Sequence, residues 1–338
     1  VSAAEYAGGF AGRATIGYGA TMAGENEIEG TLLGSLTQLI ADLAVPGREE
    51  ELNTLLSLSG MTPSEIRGCS VSGDHYETSA TGDYAGGLTG QGDGVRITAW
   101  ENRKTEISGL SQVTAESYAG GIAGSAVTAN PIGILNTAIG IGSYLPFEVS
   151  GVNLIGADLN VHADKKYASG GMGLILGGTI QEVSLEEIAS VSAGNYAGGL
   201  AGRAGSGSLV KEGGLDLLGL GAVKVDNLLN LADGVQIGIS NTSVTGIQQG
   251  MTIDASGKAE LTDGESILAG GFISEAEGVQ IENAEISGLR QVTAQKQEGK
   301  ESYAGGFIGR SQTGGLAGIA QEGEDGSLTL PGILDVSS

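Results

Sequence analysis

At 338 residues, with 40% hydrophobic content, the chain is long enough to bury a sizeable core and too apolar to be a disordered polymer. Glycine supplies 62 residues and proline only 5, which excludes collagen and proline-rich linkers. With 16 basic against 40 acidic residues the net charge is −24, opposing nucleic-acid phosphates and anionic membrane surfaces along the whole chain.

Aromatic residues make up 4%, so the core must be built from Val, Ile, Leu and Ala on a backbone that turns often. The single cysteine, Cys69, excludes an internal disulfide framework and a cysteine-based zinc site. Val1 opens directly on a phrase that recurs deep inside the chain, so the sequence reads as a segment of a longer array.

That phrase, taken in chain order, organises the protein. Tyr6-Ala-Gly8-Gly9-Phe-Ala-Gly comes first, followed by an insertion at about residues 20–62. Within it, Leu32, Leu36, Leu39, Ile40 and Leu43 have the spacing of an amphipathic helix ending near Pro46, and Leu52, Leu55 and Leu56 suggest a second short one. Ile66–Gly73 then alternates apolar or small with polar residues, the period of a strand with one buried face. It leads to Tyr84-Ala-Gly86-Gly87-Leu-Thr-Gly.

Glu106–Ala115 alternates again and precedes Tyr118-Ala-Gly120-Gly121-Ile-Ala-Gly. The uncharged stretch Ser117–Phe147 overlaps a second insertion at about 125–147; Asn130, Pro131, Asn136, Pro146 and several glycines exclude a membrane-spanning helix there. Next come Tyr167-Ala-Ser-Gly170-Gly-Met-Gly, the alternating Ile180–Leu185 and Val191–Ala193, and Tyr196-Ala-Gly198-Gly199-Leu-Ala-Gly. A third insertion, at about 204–235, carries Leu215, Leu218, Leu228, Leu229 and Leu231 and is also helix-compatible.

After Ile239–Gly246 the seventh-type phrase, Leu268-Ala-Gly270-Gly271-Phe-Ile-Ser, replaces tyrosine by leucine. Ile281–Gly288 and Glu285–Ala294 follow, and Tyr303-Ala-Gly305-Gly306-Phe-Ile-Gly closes the series. The segments 106–115 and 285–294 agree at nine of ten positions. Successive phrases start 78, 34, 49, 29, 72 and 35 residues apart, a unit of roughly 30 residues interrupted by insertions.

About three short strands per unit, separated by glycine turns and stacked on similar neighbours, predict an all-β repeat protein: one parallel β-helix domain over 1–338, its helical insertions covering an edge or an end. The double glycine then marks a corner that needs either positive φ or close backbone approach. The apolar residue after it points inward, and the tyrosines stack as a ladder with their hydroxyls reaching solvent or backbone.

A search for chemistry returns little. Asp74, Glu77, Asp83 and Asp93 are the candidates for a glycosidase carboxylate pair, but turn acids explain them better. Asp164-Lys165-Lys166 is the one tight mixture of acid and base a lyase would want, and a solvated turn accounts for it equally. His75 and His162 leave little room for a Ser/His/Asp triad and none for a zinc helix; they read as surface turn residues. Cys69 holds the repeat position of Val183, Thr242 and Ala284 and reads as a small buried residue.

Gly92-Asp93-Gly94 and Glu322–Asp325 are weak substitutes for a calcium loop, and no phosphate-binding loop follows any glycine phrase. No cofactor or metal is therefore expected. Arg13, Arg203 and Arg310 each follow the last glycine of a phrase, and salt bridging to the abundant acids is favoured over a row binding an acidic glycan.

The Tyr-Ala-Gly-Gly-apolar-x-Gly phrase, as in Ala7-Gly8-Gly9-Phe10, Ala85-Gly86-Gly87-Leu88 and Ala197-Gly198-Gly199-Leu200, resembles the GLUG-type repeats of large surface proteins from gut and oral bacteria. These include the non-catalytic repeat regions beside IgA-cleaving metalloproteases. The resemblance covers the seven phrases and their upstream strands and leaves the insertions outside. It implies bacterial cell-surface or cell-wall placement and an adhesin-like or spacer role, with a host glycan or extracellular protein as partner, and carries over no catalytic residue. The alternative is a carbohydrate-active β-helix enzyme, a lyase or glycoside hydrolase. An ice-binding solenoid is disfavoured because no regular Thr-x-Thr ladder is present.

Overall fold

The computed structural model describes residues 1–15, 64–127, 147–205, 237–256 and 266–312, with three further short strands at Gln321–Glu322, Leu328–Leu330 and Leu334–Val336. The chain winds into seven coils, over residues 2–15, 65–93, 96–127, 148–176, 179–205, 237–277 and 279–312. Coil pairs with coil in parallel, which generates one sheet of long strands and two seven-stranded sheets around a single hydrophobic core. This is the parallel β-helix that the repeat predicts. At about 4.8 Å per strand, seven coils rise about 29 Å. The three short C-terminal strands pair antiparallel in a sheet of their own.

Each phrase supplies two strands. In the third coil, Tyr118–Gly120 lies in the tyrosine sheet and Ala123–Val127 in the third sheet, with Gly121-Ile122 turning the corner. The first positions stack in perfect sequence: Tyr6, Tyr84, Tyr118, Tyr167, Tyr196, Leu268 and Tyr303 pair one with the next. The alanines beside them form a parallel column, fully buried from Ala85 to Ala269.

The phrase glycines serve close approach rather than positive φ. A Cβ on Gly121 would lie 2.1 Å from the Gly170 carbonyl oxygen and 2.8 Å from Leu154 Cδ1, a clash with backbone that cannot give way. None of the paired phrase glycines has positive φ; left-handed glycines stand instead where one coil passes to the next, at Gly94, Gly177, Gly178 and Gly278. These serve the second, fourth and sixth coils, whereas the first, third and fifth leave the same corner into the long insertions.

The fourth coil departs from the phrase. Ser169 pairs with Gly120, and Met172 pairs with Ala123, so Gly171 holds the place of Ile122. The fully buried Met172 fills core volume that Gly171 cannot. In the other interior coils the residue after the glycines points inward as expected: Leu88, Ile122, Leu200 and Phe272 are inaccessible to solvent. Phe10, in the first coil, is 53% exposed, because among the described residues no coil covers its outer side.

Two expected short strands fuse in the second to fifth coils into single long ones, Ser70–Ala80, Thr105–Ala115, Glu148–Ala163 and Thr179–Ala193. Left-handed residues inside them turn the corner, as at Asp158, Glu182 and Glu187; the ladder shifts register at Asp158 and Glu187 and resumes beyond them. Gly151, Glu182, Asn241 and Asn283 occupy one such column. Asparagine tolerates this conformation well, and Asn283 Nδ2 donates to Asn241 Oδ1 at 2.6 Å, so the corner carries its own side-chain bond. Inside, β-branched columns run the height of the rod: Ile66, Ile97, Val149, Ile180, Ile239 and Ile281 stack in register.

The insertions are narrower than the sequence suggests. Residues 125–127 and 204–205 belong to strands, and Phe147 is fully buried. The predicted helices at 20–62, and in the remainder of the other two insertions, lie outside the described residues; among the described residues there is no helix.

Candidate functional site

The tyrosine column is a continuous stack over five coils. Ring centroids are 5.3 Å apart for Tyr6–Tyr84, 4.6 Å for Tyr84–Tyr118, 5.4 Å for Tyr118–Tyr167 and 4.8 Å for Tyr167–Tyr196. Leu268 ends the stack, and Tyr303 stands beyond it. Burial pushes the Tyr196 phenol up to about 12, with the Glu275 charge adding to it, and burial raises Tyr118 as well. Neutral phenols whose faces are occupied by other phenols are architecture, with no proton to exchange near neutral pH.

The three arginines share one column but are not neighbours. Gln91, Ser125 and Leu174 separate Arg13 from Arg203, and Glu275 separates Arg203 from Arg310. All three are ion-paired, as the charge balance favoured. Arg13 faces Asp93 at 3.5 Å. Glu275, only 3% exposed, is held between Arg203 Nε at 3.2 Å and Arg310 Nη2 at 2.5 Å, and Gln312 Nε2 donates to it at 3.0 Å. A buried carboxylate between two guanidiniums is a satisfied structural group, and breaking it from one side would be costly.

The candidate acids are dispersed. Asp74 and Glu77 are exposed on the long sheet, Asp93 pairs with Arg13 in the third sheet, and Asp83 accepts the Ser117 hydroxyl at a corner. Lys165 binds Glu116 at 2.5 Å, which ties the Asp164-Lys165-Lys166 turn to the preceding coil. Both histidines lie in long strands rather than in turns, because those strands continue through the bends; His75 sits at a bend with φ of 55°. His162 Nδ1 is 2.7 Å from Ser192 Oγ and its Nε2 is 2.9 Å from Asp164 Oδ1. His162 pairs in register with Ser192, so this is a cross-strand contact on an exposed sheet face. The neighbouring backbone N–H groups are committed to the parallel ladder and leave no oxyanion donors. Cys69 is half-buried against the core, less enclosed than expected, because the second coil has only a partial neighbour on one side.

A different site emerges at a corner where the third coil widens. Between the Ile97↔Val149 and Thr105↔Val152 pairs, the fourth coil needs only Ser150 and Gly151, whereas the third uses residues 98–104. The extra residues form a tight turn: Trp100 and Arg103 exchange backbone hydrogen bonds at 2.8 and 2.9 Å, and Glu101 at the tip has φ of 54°. The turn lifts Trp100, the chain's single tryptophan, to 52% exposure.

Both neighbouring coils make room for it. A Cβ on Gly68 would lie 2.7 Å from Trp100 Cβ, and one on Gly151 would lie 2.9 Å from Ala99 Cβ. Further along the rod, where no such turn must be accommodated, the same corner carries Glu182, Asn241 and Asn283. Beside the indole lies an open groove of about 450 Å³ whose walls include Arg67, Arg96, Glu101, Glu148 and Ser150. The Arg67 guanidinium sits 5.7 Å over the indole ring and is anchored by Glu65 at 2.6 Å. Arg96 is ion-paired with both Glu65 and Glu148 at 3.7 Å, beyond hydrogen-bond distance of either.

Sequence reasoning passed over this groove. The one available signal was a lone tryptophan in a chain with 4% aromatics, placed between two strand patterns rather than in a repeat phrase. Among the described residues no group of three or more His, Cys, Asp or Glu side chains is placed to hold a metal ion, and no helix is long and apolar enough to cross a membrane. Comparison with known proteins finds no matching family model, no similar curated protein and no similar solved structure.

Proposed function

We propose that this chain is a non-catalytic, adhesin-like or spacer β-helix of a bacterial cell-surface protein, presenting a face to a host glycan or an extracellular protein. The reading rests on the GLUG-type phrase, and the observation that carries it is the unbroken register of that phrase through seven coils. Columns of identical residues give length and stiffness in one direction, which is what a stalk requires. Charged residues of both signs are matched to one another, at the surface at Glu65, Arg96 and Glu148 and around the buried Glu275 at Arg203 and Arg310. Immobilised panels of host glycans and matrix proteins test the adhesin form: saturable binding to one panel supports it, and silence across both reduces the role to a spacer.

A further inference from the structure

The Trp100 turn is longer than the two residues that close the same corner in the fourth coil; two flanking glycines seat it, and Arg103 donates to Ser70 and Lys104 to Asn153 to tie its base to the coils on either side. From this we infer that the groove beside Trp100 is a binding site for a neutral pyranose, packed against the part of the half-exposed indole that the Arg67 guanidinium leaves uncovered, with its hydroxyls bonded to Arg96, Glu148 and Ser150. The inference rests on the adhesin reading and names the ligand class and its location.

The chemistry of the walls selects a sugar over a protein. A stable protein interface is organised around a core of several apolar side chains with a polar rim. Here one ring is the whole apolar surface, apart from the Ala99 methyl, and polar groups surround it at once. A pyranose has that arrangement in mirror image: one face of C–H bonds the size of an indole, bordered by hydroxyls that both donate and accept. The groove offers guanidinium donors at Arg96 and carboxylate acceptors at Glu148 and Glu101. Its geometry also fits, being open enough to admit a ring within a chain and too small for a folded domain's patch.

Charge then narrows the class. At the groove Arg67 and Arg96 face Glu65, Glu101 and Glu148, the Arg103 and Lys104 side chains of the same turn are directed to Ser70 and Asn153, and the whole chain carries a net charge of −24. Sialylated, sulfated and uronic-acid glycans are therefore repelled, and neutral hexose or N-acetylhexosamine units are favoured.

Because Trp100 is the chain's single tryptophan, its fluorescence reports on this site alone. Titration with gluco-, galacto-, manno- and N-acetylglucosamine disaccharides to hexasaccharides should give a saturable emission change with at least one series. Arg96→Ala keeps the fluorophore and should weaken that binding about tenfold, equivalent to about 1.4 kcal/mol. Trp100→Ala, checked for unchanged circular dichroism, should abolish the binding heat in calorimetry, and sulfated or sialylated forms of the same sugar should bind at least about tenfold more weakly. An emission change produced only by an extracellular protein, or none with any neutral oligosaccharide, overturns the inference. If Trp100→Ala binds sugar as well as the parent, the groove is not the site although the adhesin reading stands; if no sugar or protein binds anywhere, both fall.

Discussion

The third and seventh coils contain nearly the same ten residues, Glu106–Ala115 and Glu285–Ala294, yet their surroundings differ throughout. In the third coil Ile107, Leu110 and Val113 are completely buried; in the seventh Ile286, Leu289 and Val292 are only half-buried. The phrase glycines differ in the same way. A Cβ on Gly121 would strike backbone, whereas one on Gly306 would meet nothing within 4 Å. A coil's sequence thus specifies its shape, while the coils on either side supply its burial, so stability in this rod belongs to interfaces between repeats more than to the repeats.

The largest expected effect tests that contrast at the glycines. Gly121→Ala should cost more than about 4 kcal/mol or prevent folding, because the colliding carbonyl is the backbone of the next coil's corner, packed directly against it. Gly306→Ala should stay within about 0.5 kcal/mol, read by urea unfolding followed by circular dichroism. Equal costs at the two positions would mean that the corner itself, rather than the neighbouring coil, demands glycine.

Next in size are the core leucines. Leu110→Ala removes a fully enclosed side chain and should cost about 2–5 kcal/mol, while Leu289→Ala, with solvent on one side, should cost about 1–2 kcal/mol. Ordering of the two midpoints in the same denaturation series checks this, and a reversed order would break the comparison.

The smallest effect is a pH dependence at the tyrosines. Tyr196 is held neutral by burial up to about 12, against 10.0 for a free phenol. A raised folded value favours the protonated phenol, so its contribution is complete below pH 10 and is lost as pH rises from there through about 12. Phenolate absorbance should therefore appear late and together with loss of the sheet signal. Tyr303, 40% exposed in the last coil, is raised instead by its hydrogen bond to Glu301 at 3.0 Å, so Glu301→Gln should return it toward the ordinary value without moving Tyr196.

Much of the fold was legible because a repeat writes its register into the sequence. The spacing of Tyr118, Gly120 and Gly121 was enough to anticipate a corner, a ladder and a stack, since each coil must present the same residue at the same height. The fused strands were not legible: Glu182 and Glu187 give no sign of left-handed backbone, a conformation that side chains of their type rarely adopt. Nor was the Trp100 groove, whose walls come from three coils and whose seat depends on glycines 32 residues before and 51 residues after the indole.

By itself the sequence determined the solenoid, its tyrosine ladder and the pairing of its arginines, because periodicity and charge balance are properties of composition and spacing. The tertiary structure decided which glycines are indispensable, which identical segments are buried, and where a lone aromatic ring stands half-exposed among charged side chains. Those depend on what the adjacent coil places within a few ångströms, and that distance is set only when the coils stack.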